Sequence, residues 1–136
     1  MSAASASRAS AFVQGPVLVV DDNRINLELA QAILESAGHD VRIAADAGEA
    51  LAAIATERPG LILMDVQLPG MDGLALTRQL KADPATRHIP IVALTAYAMK
   101  GDAEKAREAG CDGYISKPVE VRTLPKIVEG FLAREV

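Results

Sequence analysis

Leu61-Ile62-Leu63-Met64-Asp65 (LILMD) decides how this chain is read, because four consecutive apolar residues end on an acid. A run so short and so continuously apolar suits a strand buried on both faces, as in parallel sheets covered by helices. Working outward, the same arrangement recurs. Val17-Leu18-Val19-Val20 ends on Asp21 and Asp22, Ile91-Val92-Ala93-Leu94 ends on Thr95, and Tyr114-Ile115-Ser116 ends on Lys117. In a parallel sheet all strand ends lie along one edge, so these residues converge on one crevice. Carboxylates, a hydroxyl and an ammonium gathered there suit Mg²⁺-assisted chemistry on a phosphoryl group.

Between the apolar runs lie longer amphipathic segments, a βαβα pattern that predicts a doubly wound α/β fold. Strands are expected near 17–21, 40–44, 61–65, 90–95 and 113–116. The first helix, about 24–37, repeats Ile25, Leu29, Ala32 and Ile33 at helical spacing, with Asn23 as N-cap and Gly38 as stop. The second, about 46–56, starts at Asp46 or Ala47 and repeats Ala50, Leu51 and Ile54. A third follows Asp72, a fourth spans about 98–109 before Gly110, and a fifth runs from about 120 to 133. Pro125 falls in the first turns of the fifth, where a missing N–H is tolerated. Residues 1–15 (MSAASASRASAFVQG) are Ala/Ser-rich without sustained periodicity, which predicts a flexible tail before a single domain over 16–136.

Composition removes several function classes. The chain has 136 residues, enough for one domain with a sizeable core, and a formal net charge of −4 without a Lys/Arg run. That argues against nucleic acid, which needs basic residues to neutralise phosphates, and aromatics at 3% leave little for bases to stack on. Cys111 is the single cysteine and cannot form an internal disulfide, which fits a reducing compartment. No apolar stretch approaches the ~20 residues of a membrane span, and the N-terminus lacks a signal peptide's apolar centre. A soluble, cytoplasmic protein is expected. No G-x-G-x-x-G or Walker A pattern follows a strand, which disfavours a nucleotide-binding module.

Adjacent acids such as Asp21-Asp22 repel one another, and a hard cation relieves that repulsion. Mg²⁺ accepts one or two carboxylates, waters and a phosphate oxygen; the simpler reading is that Asp21-Asp22-Asn23 only caps the first helix. Asp65 is a candidate phosphoryl acceptor, since a carboxylate can form an acyl phosphate. Such transfer needs positioning and charge neutralisation, which Mg²⁺ and the Lys117 ammonium supply, while Thr95 can donate a hydroxyl hydrogen bond. The loop DVQLPGMDG (65–73) can bring backbone against the crevice, with Asp72 capping the third helix. Haloacid-dehalogenase-like phosphatases also use a nucleophilic Asp, but they place nucleophile and acid two residues apart, whereas Asp21 and Asp22 are adjacent.

Asp21-Asp22, Asp65, Thr95 and Lys117-Pro118, in that order on a five-fold βα pattern with the PGMDG loop, resemble the receiver domain of two-component response regulators. The resemblance covers Pro16 to about Arg134. VDDNRIN (20–26), LILMDVQLP (61–69), HIPIVALTAYAMKGD (88–102) and GCDGYISKP (110–118) are similar to stand-alone receivers of the DivK type and to receivers appended to hybrid kinases. The Ala/Ser tail departs from the stand-alone pattern. The resemblance implies a CheY-like, flavodoxin-like sheet of order 2-1-3-4-5. It further implies Asp65 as phosphoacceptor, Asp22, Asp65 and the Val66 carbonyl as direct Mg²⁺ ligands, Asp21 assisting through water, and Thr95 and Tyr114 as a switch pair. Gln67 and Tyr97 would tune loss of the phosphoryl group, and the Lys117-Pro118 bond would be cis. The implied partners are a histidine kinase or histidine phosphotransfer protein and an effector bound by helix four, strand five and helix five, where Lys105, Arg107 and Glu108 lie. A phosphorelay shuttle, a phosphate sink and a receiver segment of a hybrid kinase remain open alternatives.

Overall fold

Each apolar run forms a strand in the computed structural model, which describes residues 15–68, 70, 72–95, 101–117 and 119–132. These strands are β1 (Val17–Val20), β2 (Val41–Ala44), β3 (Leu61–Asp65), β4 (Ile91–Thr95) and β5 (Gly113–Ser116). They pair in parallel in the order 2-1-3-4-5. Every residue of β1, β3 and β4 is buried, as their unbroken apolar character requires. The outer strands differ. β2 exposes Arg42 and Ile43, and β5 is only half-buried.

Helices α1 (Arg24–Ser36), α2 (Ala47–Thr56), α3 (Gly73–Ala82), α4 (Asp102–Ala109) and α5 (Thr123–Leu132) cover the two faces. Strand alternation decides which residue meets which helix. Leu18, Val20, Ile62, Met64, Ile91 and Ala93 pack with Ala50, Leu76, Leu80 and Ala106 on the α2–α3–α4 side. Val17, Val19, Leu61, Leu63, Val92 and Leu94 pack with Leu27, Ala30, Ile33, Leu34, Leu124 and Val128 on the α1–α5 side.

The helix starts follow capping chemistry. Asn23 accepts from the Asn26 N–H at 3.1 Å and Asp72 from the Ala75 N–H at 2.8 Å. At α2, Asp46 accepts from the Glu49 N–H while Glu49 reaches back to the Ala45 N–H, one residue before the cap, both at 2.8 Å. α1 stops one residue before its expected end, with Gly38 beyond it at φ 94°. The described part of α4 begins at Asp102; the expected start at 98 lies outside the described residues, as do residue 133 and residues 1–14 of the expected tail. α5 begins at Thr123, later than the expected 120. Glu120 is held outside it, accepting the Thr123 hydroxyl at 3.0 Å and the Leu124 N–H at 3.0 Å. Among the described residues, no helix is long and apolar enough to cross a membrane.

Candidate functional site

Parallel register brings the acids together. Val20 pairs with Met64, so Asp21 and Asp65 follow side by side at the ends of two adjacent inner strands, β1 and β3. Both are nearly inaccessible, at 1% and 3% exposure, whereas Asp22 is exposed. Lys117, just beyond β5, closes the pair: its Nζ lies 2.9 Å from Asp21 Oδ2 and 3.1 Å from Asp65 Oδ2. Its backbone N–H donates to the Thr95 carbonyl at 2.7 Å, tying the ends of β4 and β5.

The second oxygen of each buried acid is also engaged. Asp21 Oδ1 accepts the Asn23 N–H at 2.9 Å, and Asp65 Oδ1 accepts the Gln67 N–H at 3.0 Å. The two strand ends thus finish in the same turn, an acid bonding the amide two residues on. Sequence reading took Asn23 only as a cap and assigned Gln67 no such role. The available signal was the acid at each strand end, since the donor two residues on is a main-chain N–H that any residue but proline supplies.

One ammonium shared between two carboxylates leaves each acid under-compensated and the lysine over-compensated. Burial pushes the Asp65 carboxyl up; the Gln67 N–H lowers it, the neighbouring Asp21 charge raises it and Lys117 lowers it, with burial prevailing. Burial disfavours the Lys117 ammonium, yet its bonds and attraction to Asp21 and Asp65 prevail and hold it above its ordinary range. The repulsion expected between the adjacent acids Asp21 and Asp22 is joined in the structure by a second crowding, between Asp21 and Asp65 across two strands.

Oxygens of Asp21, Asp22 and Asp65 lie within 4.8 Å of one another. Oxygen donors so grouped, with the exposed Asp22 open to water, fit a hard cation such as Mg²⁺. The Val66 carbonyl, next in sequence to Asp65, accepts the Gly73 N–H at 3.1 Å. Thr95 is buried at the end of β4 and shares the alternation of Ile91 and Ala93, which places it on the α2–α3–α4 side. Half-buried Tyr114 packs on that side too, opposite Ala93, with Thr95 opposite Ser116. Gln67 is exposed at the crevice. Tyr97, Pro118 and two residues of the PGMDG loop, Pro69 and Met71, lie outside the described residues.

Comparison with known proteins agrees with this geometry. The profile of the response regulator receiver domain matches residues 17–129. The polar-differentiation response regulator DivK of Brucella anthropi is 43% identical over 116 residues, covering 85% of this chain and 94% of its own. A CheY-like response regulator receiver domain protein from Methanospirillum hungatei superposes with a TM-score of 0.76 at 37% identity, over 86% of this chain and 93% of its own. The receiver domain of a signal transduction histidine kinase from Syntrophus aciditrophicus does so with a TM-score of 0.80 at 35% identity, over 88% and 91%. With acids ending adjacent inner strands and a lysine bridging them from the end of β5, the chain belongs to the response regulator receiver domain family and is DivK-like in sequence.

Proposed function

We propose that this chain is a single-domain response regulator that accepts a phosphoryl group on Asp65 from a histidine kinase or histidine phosphotransfer protein in the cytoplasm. The observation that carries the reading is the Lys117 ammonium 2.9 Å from Asp21 and 3.1 Å from Asp65. An Asp65 carboxylate oxygen attacks phosphorus, the phosphorus–nitrogen bond of the donor breaks, and the imidazole departs with the electron pair. Lys117 stands where negative charge gathers on the phosphoryl oxygens, and the Thr95 hydroxyl donates to one of them. Asp22, Asp65 and the Val66 carbonyl would hold Mg²⁺, with Asp21 assisting through water. The ion supplies further neutralisation of the phosphoryl oxygens. Thr95 drawn toward the phosphoryl group leaves room for Tyr114, changing the surface of α4, β5 and α5 that an effector binds.

Acetyl phosphate with Mg²⁺ should label wild-type protein with an alkali-labile acyl phosphate and leave Asp65→Asn unlabelled. Stable label on Asp65→Asn overturns the assignment. The similarity to a receiver domain of a histidine kinase supports a second reading, a receiver that only shuttles or stores phosphate. A Tyr114 ring whose NMR signals and a partner whose affinity both stay unchanged with a beryllofluoride mimic would favour that reading.

A further inference from the structure

We propose that Gly73 is a positioning residue for the acceptor end of β3, an inference that rests on reading Asp65 as the phosphoacceptor. Gly73 is buried as the first residue of α3, and its N–H donates to the Val66 carbonyl at 3.1 Å. A Cβ there would overlap the Asp65 carbonyl oxygen and stand 2.8 Å from its carbon and 3.0 Å from Met64 Cγ. Gly73 is not among the positive-φ glycines, so its conformation does not demand glycine; the space does. The obstructing atoms are the backbone of the acceptor itself, which cannot rotate aside as a side chain can. The first turn of α3 therefore rests on the Asp65 peptide and sets the direction of the Val66 carbonyl.

Gly110 supplies a contrast. It is cramped too, though less so, with a Cβ that would meet Lys81 Cγ at 2.8 Å, and its φ of 107° is strained for any other residue. It lies at the C-terminal end of α4, away from the acids. Alanine at Gly110 disturbs a flexible lysine stem, whereas alanine at Gly73 displaces the peptide that carries the acceptor and a candidate metal-ligand carbonyl. Groups that hydrogen-bond a metal ligand typically change metal affinity or activity by about 10–100-fold when lost.

The test measures Mg²⁺ affinity and acetyl phosphate labelling for wild type, Gly73→Ala and Gly110→Ala, with circular dichroism and urea midpoints to establish folding. Both variants should be less stable than wild type. Only Gly73→Ala should bind Mg²⁺ at least about tenfold more weakly and label more slowly to a similar degree. A folded Gly73→Ala with wild-type Mg²⁺ affinity and labelling rate overturns the proposal. So does a Gly110→Ala that loses Mg²⁺ affinity equally, since crowding anywhere would then suffice. Should Gly73→Ala not fold, wild-type amide spectra decide: saturating Mg²⁺ should shift the Gly73 amide and leave Gly110 in place, and an unmoved Gly73 amide refutes the idea. Wild type that takes no label on Asp65 defeats the underlying functional reading, and this proposal with it; normal labelling of both proteins defeats only the role of Gly73.

Discussion

Two lysines hold opposite ends of the strands β4 and β5, and they hold them differently. Lys81, from α3, donates to the carbonyls of Arg87 at 3.1 Å and Ile89 at 2.8 Å and to Asp112 Oδ2 at 3.0 Å. That carboxylate oxygen also accepts the Ile91 N–H at 2.9 Å. One cation meets one anion, and all three ammonium hydrogens are used. Lys117, at the other end, meets two carboxylates, Asp21 and Asp65, which are grouped with a third, Asp22. Burial does not separate the two lysines, whose side chains are 19% and 15% exposed. Their partners do: Lys81 completes a neutral joint, while Lys117 leaves an anionic excess that a second cation or a change of protonation must balance.

That contrast breaks most visibly in the rate of phosphorylation. Lys117→Met should slow acetyl phosphate labelling of Asp65 by about 10²–10³-fold, the usual cost of removing one donor that stabilises developing charge. Lys81→Met should label at the wild-type rate; equal slowing in both variants would mean the two ends are not functionally distinct. Next in size is metal. Mg²⁺ at 100 times its dissociation constant should stabilise the wild type by about 2.7 kcal/mol in urea titrations, because the cluster exists only when β1 and β3 are assembled. No stabilisation by Mg²⁺ would show that Lys117 alone suffices.

Lys81→Met should then destabilise the fold by about 2 kcal/mol, since hydrogen bonds to a charged group contribute ~1.5–3 kcal/mol each and partial exposure reduces that. A change in urea midpoint within error would reduce the joint to an ordinary surface contact. The smallest effect concerns pH. Asp65 titrates above its ordinary value of 3.8, so ionising it costs the folded state more than the unfolded. This penalty is absent below 3.8, grows as pH rises through the folded pKa and is complete above it. Without metal, Asp65→Asn should therefore melt above wild type at neutral pH, with the gap closing on acidification. Lys117, whose pKa is also raised, loses stability in the same direction but in a more alkaline window: its contribution is full below 10.5 and lost as pH rises through its raised value. If Asp65→Asn melts lower in EDTA at neutral pH, burial does not dominate at Asp65.

The sheet and the convergence of Asp21, Asp65 and Lys117 were legible because each of these residues follows or ends an apolar strand. Which of the two adjacent acids turns inward was not. Val17 to Val20 are buried on both faces, so no polar alternation marks the side that meets α1 and α5, and only the pairing of Val20 with Met64 sets Asp21 beside Asp65. Helix caps at Asn23 and Asp72 were readable from local chemistry, because their partners lie three residues away. The pressure on Gly73 was not, since the atoms that forbid a side chain belong to the backbone of another element.

β5 is the half-buried edge strand, paired only to β4, whereas both acids end fully buried inner strands. Hydrogen exchange follows such differences: an edge strand can open locally, while the inner strands open only with the whole domain. The cation can therefore depart with the end of β5 while Asp21 and Asp65 stay in place. The Lys117 amide, bonded to the Thr95 carbonyl at 2.7 Å, reports that event, and its opening free energy measures how firmly the paired acids keep their ammonium.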